Sequence, residues 1–122
     1  MELNVDSILF QIDLLCGLIF TFTAIITLLF PPKKINAIYG YRTHRSMKND
    51  EAWKFAQQYS SIRLLYAGLL LCAFSCIGLF VTLNELYEVI IGTIALLIAV
   101  LLPIYLTEKA LKSKQHETNH PH

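Results

Sequence analysis

No lysine or arginine occurs before Lys33, and none lies between Arg63 and Lys109. Charge of either sign is scarce throughout. Only 16% of the 122 residues are charged and 55% are hydrophobic, whereas a soluble domain carries about 25% charged residues. That shortage excludes an ordinary soluble fold and points to a membrane protein. The net charge of +1 leaves no overall basic footprint, and nucleic acid is not expected as a partner.

Catalytic patterns are missing too. The chain has no G-x-S-x-G, no H-E-x-x-H, no Walker loop and no paired-histidine motif. Asp50 and Glu51 are adjacent, so a helix points them about 100° apart, which suits dipole partners and not a catalytic pair. No enzyme activity, catalytic residue or cofactor is therefore expected. Cysteine is sparse, with three residues. Cys72 and Cys76 lie four apart in an apolar run, with no second pair and no histidine nearby to complete a zinc site, so no metal is expected. A Cys16–Cys76 disulfide fits the layout, but close helix packing is the simpler role for these small side chains. His44 stands alone, without an acid–base partner in the sequence. His116, His120 and His122 form a tail read as solvated, with adventitious metal affinity at most. Internal repeats and Gly/Ser linkers are absent.

What is abundant is uncharged apolar sequence, in three runs. The expected spans are about 8–30, 64–83 and 89–107, each near the roughly 17–25 residues that a bilayer core needs. Only "NELYE" separates the last two, so Glu85 and Glu88 mark a tight hairpin outside the lipid. The first run is not read as a cleaved signal peptide. Acids flank it instead of basic residues, it lacks a small-residue cleavage site, and Pro31-Pro32 ends it. All ten basic residues fall in segment 31–63 or in tail 108–122. The positive-inside rule then places the N-terminus and the hairpin outside, with the central segment and tail cytoplasmic, in a multi-pass protein of the cell membrane. Tyr66, Tyr87 and Tyr105 suit interfacial belts. Small residues recur at Gly68, Cys72 and Cys76, and at Gly92, Ala95 and Ala99. Such stripes predict close packing and homo-oligomerisation. Pro103 predicts a kink in the third span.

The central segment is unlike its flanks. Asn49 is a good N-cap, and Asp50 and Glu51 suit the positive end of a helix dipole. Ala52, Phe55, Ala56, Tyr59 and Ile62 share one helical face. This predicts an amphipathic helix that lies at the inner interface or leads into the second span. Before it, "YGYRTHRS" reads as an ordered turn.

Tyr39-Gly40-Tyr41-Arg42-Thr43, then Ser46-Met47-Lys48-Asn49, then Glu51, Trp53 and Ala56 resemble the signature of the SdpI family. Its pattern is a glycine, an aromatic or aliphatic residue, Arg-Thr, a short gap, Ser or Thr with Met or Leu, and a Trp at the next helix, set between two spans. The family is one of bacterial membrane proteins named for immunity against a secreted sporulation-delay toxin. Its namesake has further spans before this module, and the present chain corresponds to the module as a single domain over 1–122. The resemblance implies an all-α three-span bundle with a structured cytoplasmic loop and amphipathic helix between the first two spans. It further implies protection against a membrane-active peptide or a related membrane stress, and a cytoplasmic regulator as a partner.

The candidate ligand- or partner-binding residues are Tyr39, Gly40, Tyr41, Arg42, Thr43, Ser46, Lys48, Asn49 and Trp53. Two readings stand side by side. Arg42, Arg45 and Lys48 serve topology and anionic lipid, or Arg42, Thr43, Ser46 and Asn49 form a cradle for an anion, closed by Trp53 and gripped by the planar Arg fork. Trp53 also suits an interfacial anchor. On the outer side, Asp13, Glu85 and Glu88 are candidates for contact with a cationic peptide. Asp13 falls in line with Gly17, Thr21 and Ala24, and lies either inside the lipid or among the headgroups. A small lipid- or anionic-solute-binding membrane subunit, or a scaffold, is the alternative function.

Overall fold

A computed structural model describes residues 3–118, with side chains through Gln115. The tail reading of His120, His122 and the His116 side chain falls outside the described residues. The chain forms α1 (Ile8–Leu29), α2 (Asp50–Ser75), a single turn α3 (Ile77–Phe80) and α4 (Glu85–Thr118). The fold is all-α, with no strand among the described residues. Three helices are long and apolar enough to cross a membrane, so the chain is a multi-pass membrane protein.

Local chemistry sets the helix ends. Ser7 caps α1, its Oγ accepting from the Phe10 N–H at 3.2 Å. Pro31-Pro32 follow the last turn and prevent its continuation. Asn49 caps α2, its Oδ1 accepting from the Ala52 N–H at 2.7 Å, with Asp50 and Glu51 in the first turn. Of the two places expected for the amphipathic helix, the structure shows the one that leads into the second span. This helix is the first half of α2, which runs on unbroken into the second span. Its 26 residues reach about 39 Å, longer than a hydrocarbon core of about 30 Å. α4 has 34 residues and continues through Pro103, which leaves the Ala99 carbonyl without its helical donor.

The core is the reverse of a soluble one. Large apolar side chains such as Phe22, Leu70, Leu97 and Leu101 are exposed, as lipid-facing residues should be. The buried face of α2 is Ala52, Trp53, Ala56, Gln57, Ser61, Gly68, Leu71 and Ser75. The face expected from apolarity is therefore rotated, with Phe55, Tyr59 and Ile62 only half-buried. Apolarity does not mark the interior where lipid is as apolar as the protein; small size and polar pairing do.

α1 packs most extensively on α2. A Cβ on Gly17 would lie 2.9 Å from the Gly68 carbonyl oxygen, and one on Gly68 would lie 2.8 Å from the Thr21 nitrogen. Thr27 and Ser61 join their hydroxyls across the same seam at 2.6 Å. The Gly68–Cys72 stripe is thus spent inside the chain, as is Gly92, which faces Asp13. These glycines bind helix to helix within one copy. All three cysteines are free thiols.

Candidate functional site

The two ends of the bundle carry its polar chemistry. At the basic end, residues 31–49 fold into a cap pinned to α2 and α4. Asn36 begins it, its Oδ1 accepting from the Ile38 and Tyr39 N–H groups at 2.9 and 2.6 Å. Gly40 follows at φ +103°, where a side chain is strained, and a Cβ there would meet Gln57 Oε1 at 2.5 Å. Gln57 is buried at 3% exposure. It grips one residue of the cap by its backbone: Oε1 accepts from the Tyr41 N–H at 2.7 Å, and Nε2 donates to the Tyr41 carbonyl at 2.8 Å.

The hydroxyl residues are turned inward. Ser46 is fully buried; its Oγ accepts from the Thr43 N–H at 2.8 Å and faces the Tyr41 and Thr43 carbonyls. Thr43 Oγ1 accepts from the Ser46 N–H at 3.2 Å. Trp53 is fully buried and donates from Nε1 to the Pro32 carbonyl at 2.7 Å. Asn49 is spent on the helix cap.

Arg42 points to the surface and makes one hydrogen bond, from Nε to the Asn36 carbonyl at 2.8 Å. The expected cradle is therefore taken apart in space. Thr43, Ser46 and Trp53 bond backbone groups of the cap and Asn49 bonds the first turn of α2, while Arg42, His44, Arg45 and Lys48 face outward. Trp53 is neither a lid nor an interfacial anchor but a buried pin. His44, Arg45 and Lys48 border a groove of about 460 Å³, lined also by Thr43, Glu108 and Gln115.

Glu108 of α4 closes the cap. The Tyr41 hydroxyl donates to its Oε1 at 2.9 Å, and Arg45 pairs with its Oε2 at 3.6 Å. Burial, and then the hydrogen bond to Glu108, push the Tyr41 phenol well above its ordinary range. Alongside, Phe55 and Tyr59 stack at 5.5 Å, with Lys114 over the first ring and Arg63 over the second.

A second cavity, about 450 Å³, opens between α1 and α4 beside this cap. Tyr39, Gly40 and Tyr41 form one end, and Ile19, Phe20 and Val100 lie toward the other. From Ile19 to Thr27 it runs eight residues along α1, or about 12 Å. That is close to one leaflet of a hydrocarbon core about 30 Å thick.

At the acidic end the carboxylates divide. Glu85 is exposed in the first turn of α4. Glu88 and Asp13 are buried, at 5% and 1% exposure. Glu88 Oε1 accepts from the Ser7 hydroxyl at 2.6 Å, so α1 and α4 are joined here. Of the three acids expected on a common contact face, only Glu85 stands on the surface. The other two turn inward because helix packing offers them Ser7 and a small cavity. Asp13 is carried by α1, the first apolar helix, and is turned toward α4, where Gly92 faces it.

Sequence reasoning missed Gln57, Glu108, Pro32 and Ser7. Gln57 carried one legible signal: it lies one turn after Trp53 on the same face of α2.

A family model for the SdpI/YfhL protein family matches residues 33–107. That stretch covers the cap from Lys33 onward, α2, α3 and the membrane part of α4. A relative from Bacillus subtilis (strain 168), "Uncharacterized protein YfhL", is 40% identical over 88 residues, covering 72% of this chain and 74% of the relative. No solved structure matches the chain. The cap with its Tyr-Gly-Tyr-Arg-Thr turn, the buried Trp on the following helix and the matched spans make this chain a member of the SdpI/YfhL family.

Proposed function

We propose that the chain is an immunity-type protein of the cell membrane that protects against a cationic, membrane-active peptide. Family membership supports this reading, and α4 carries it structurally. That one helix holds Glu85 and the Glu88–Ser7 contact at its acidic end, and the Tyr41–Glu108–Arg45 contacts at its basic end. In this reading the acidic end faces outward and the basic cap lies in the cytoplasm, an orientation that the one-sided lysines and arginines favour. A peptide attracted to Glu85 disturbs the start of α4, and the cap at the far end of the same helix reports the event to a cytoplasmic regulator.

Survival under challenge with a lysine-rich amphipathic peptide tests it. Cells making the chain should outlive cells without it. Glu85→Gln, at matched expression, should weaken protection, and added salt should weaken peptide binding in the same direction. Equal survival with and without the chain would remove the immunity role.

The cavity beside the cap favours a second reading, in which the chain is a lipid-binding subunit. It takes one acyl chain of an anionic lipid, with the headgroup near Arg42. Thr23 lines the cavity, and its hydroxyl serves only the Ile19 carbonyl. Thr23→Phe should therefore displace a co-purifying anionic lipid, measured by native mass spectrometry, without unfolding the bundle.

A further inference from the structure

We infer that the small cavity between α1 and α4 at the acidic end binds one monovalent cation, held chiefly by Asp13 with Glu88 as its neighbour. The cavity is about 60 Å³, and its lining includes Asp13, Glu88, Gly92, Thr93 and Leu9. A single water needs only about 10–15 Å³ of such volume, so a cation and a water fit together.

The unmet charge is specific. Asp13 is 1% exposed, and its Oδ2 has no hydrogen-bond partner among the described residues. A carboxylate in hydrocarbon must be paired or neutralised. No lysine, arginine or histidine lines the cavity. None occurs anywhere from residue 1 to 32 or from 64 to 108, so neither α1 nor the membrane part of α4 supplies a basic side chain.

Glu88 is the only other titratable group that lines the cavity, and it is already provided for. It accepts the Ser7 hydroxyl and sits in the first turn of α4, where the helix dipole favours negative charge. Asp13, in the second turn of α1, has no such hydroxyl and lies beyond the first turn, where the dipole acts most strongly. One uncompensated carboxylate calls for one positive charge. A proton would neutralise Asp13 but leave the space between its carboxylate, Glu88 and Thr93 unfilled. A monovalent cation does both, with carboxylate oxygens, the Thr93 hydroxyl and water as hard oxygen donors. Gly92 keeps the space open, since a Cβ there would lie 3.3 Å from Asp13 Oδ1.

Two sources share this chemistry: an alkali ion, or a primary ammonium from a lysine side chain or a lipid headgroup. The test is thermal unfolding of the purified full chain in neutral detergent, in sodium, methylammonium or choline chloride at equal ionic strength. Choline is bulky and has no N–H to donate. Sodium or methylammonium should raise the melting temperature above that in choline, increasingly with concentration, as a ligand of the folded state must. A rise with sodium alone assigns an inorganic ion, and a rise with methylammonium alone assigns an ammonium group. Asp13→Asn should abolish the difference and Glu85→Gln should keep it. Gly92→Ala, which narrows the cavity without touching a charge, should reduce it and serves where Asp13→Asn does not fold. Equal melting of the wild type in all three salts would overturn the site. So would a difference that persists undiminished in Asp13→Asn or in Gly92→Ala.

Discussion

Gln57 shows how much one side chain does here. Its amide meets both the N–H and the carbonyl of Tyr41. Gln57→Leu keeps the volume but leaves the Tyr41 N–H without its partner, while the carbonyl retains the Ser46 hydroxyl. A buried donor left unpaired costs about 1–3 kcal/mol. Gln58, one position on, is exposed, and Gln58→Leu should change stability by about 0.5 kcal/mol or less. Urea unfolding of the two variants in detergent separates them. Arg42→Lys should be nearly silent, within about 1 kcal/mol, because a single bond from an exposed side chain is all it loses. A larger loss would restore a buried role for the guanidinium. Tyr41 adds a pH signature. Its folded-state phenol is raised above the ordinary value of 10.0, so the fold favours the protonated form. That contribution is complete below pH 10 and is lost as pH rises toward the folded value. The stability gap between wild type and Tyr41→Phe should therefore narrow above pH 10. Among these residues the Asn49 cap and the Gly40 turn were legible, since each needs a particular side chain or none. The inward turn of Thr43 and Ser46 was not, because a hydroxyl among cations reads equally well as an anion ligand.

At the scale of elements, the seam between α1 and α2 carries the sharpest steric demand. A Cβ on Gly68 would lie 2.6 Å from Thr21 Oγ1 and 2.8 Å from the Thr21 nitrogen. The backbone must move, so Gly68→Ala should cost about 1–3 kcal/mol. Gly92→Ala meets its nearest atom at 3.3 Å and should cost less. Denaturation in a mixed micelle, followed by circular dichroism, ranks the pair; equal losses would mean that the helices separate more readily than this packing implies. The spans themselves were legible because twenty apolar residues without charge have few other uses. The continuity of α2 was harder to read. No glycine or proline occurs between Asp50 and Gly68, so nothing stops the helix at the membrane surface, yet the shift in composition near Arg63 reads as a boundary. Its rotation was illegible for a physical reason. A hydrophobic face seeks the interior in water, but in lipid the buried face is the one whose polar groups find partners, as Gln57 and Ser61 do.

Across the whole molecule, three spans force the acidic hairpin and the basic cap to opposite sides of the bilayer, and only the hand of the arrangement is left to argue. We propose, from the one-sided lysines and arginines, that the cap is the cytoplasmic end. Labelling of introduced cysteines in intact cells is the direct measurement, and the fold dictates where to introduce them. Ser46 is fully buried and bonded, so a thiol there would be silent from either side. His44 and Asn84 are exposed and lie at the two ends. The native cysteines all sit within the first two apolar segments and set the background. Asn84→Cys should react with a membrane-impermeant maleimide added outside, and His44→Cys should react only after the membrane is opened. The reverse pattern would place the cap outside. It would then remove the cytoplasmic reporting role from Tyr41, Arg45 and Glu108, while leaving their contacts with α4 and the cation site at Asp13 untouched.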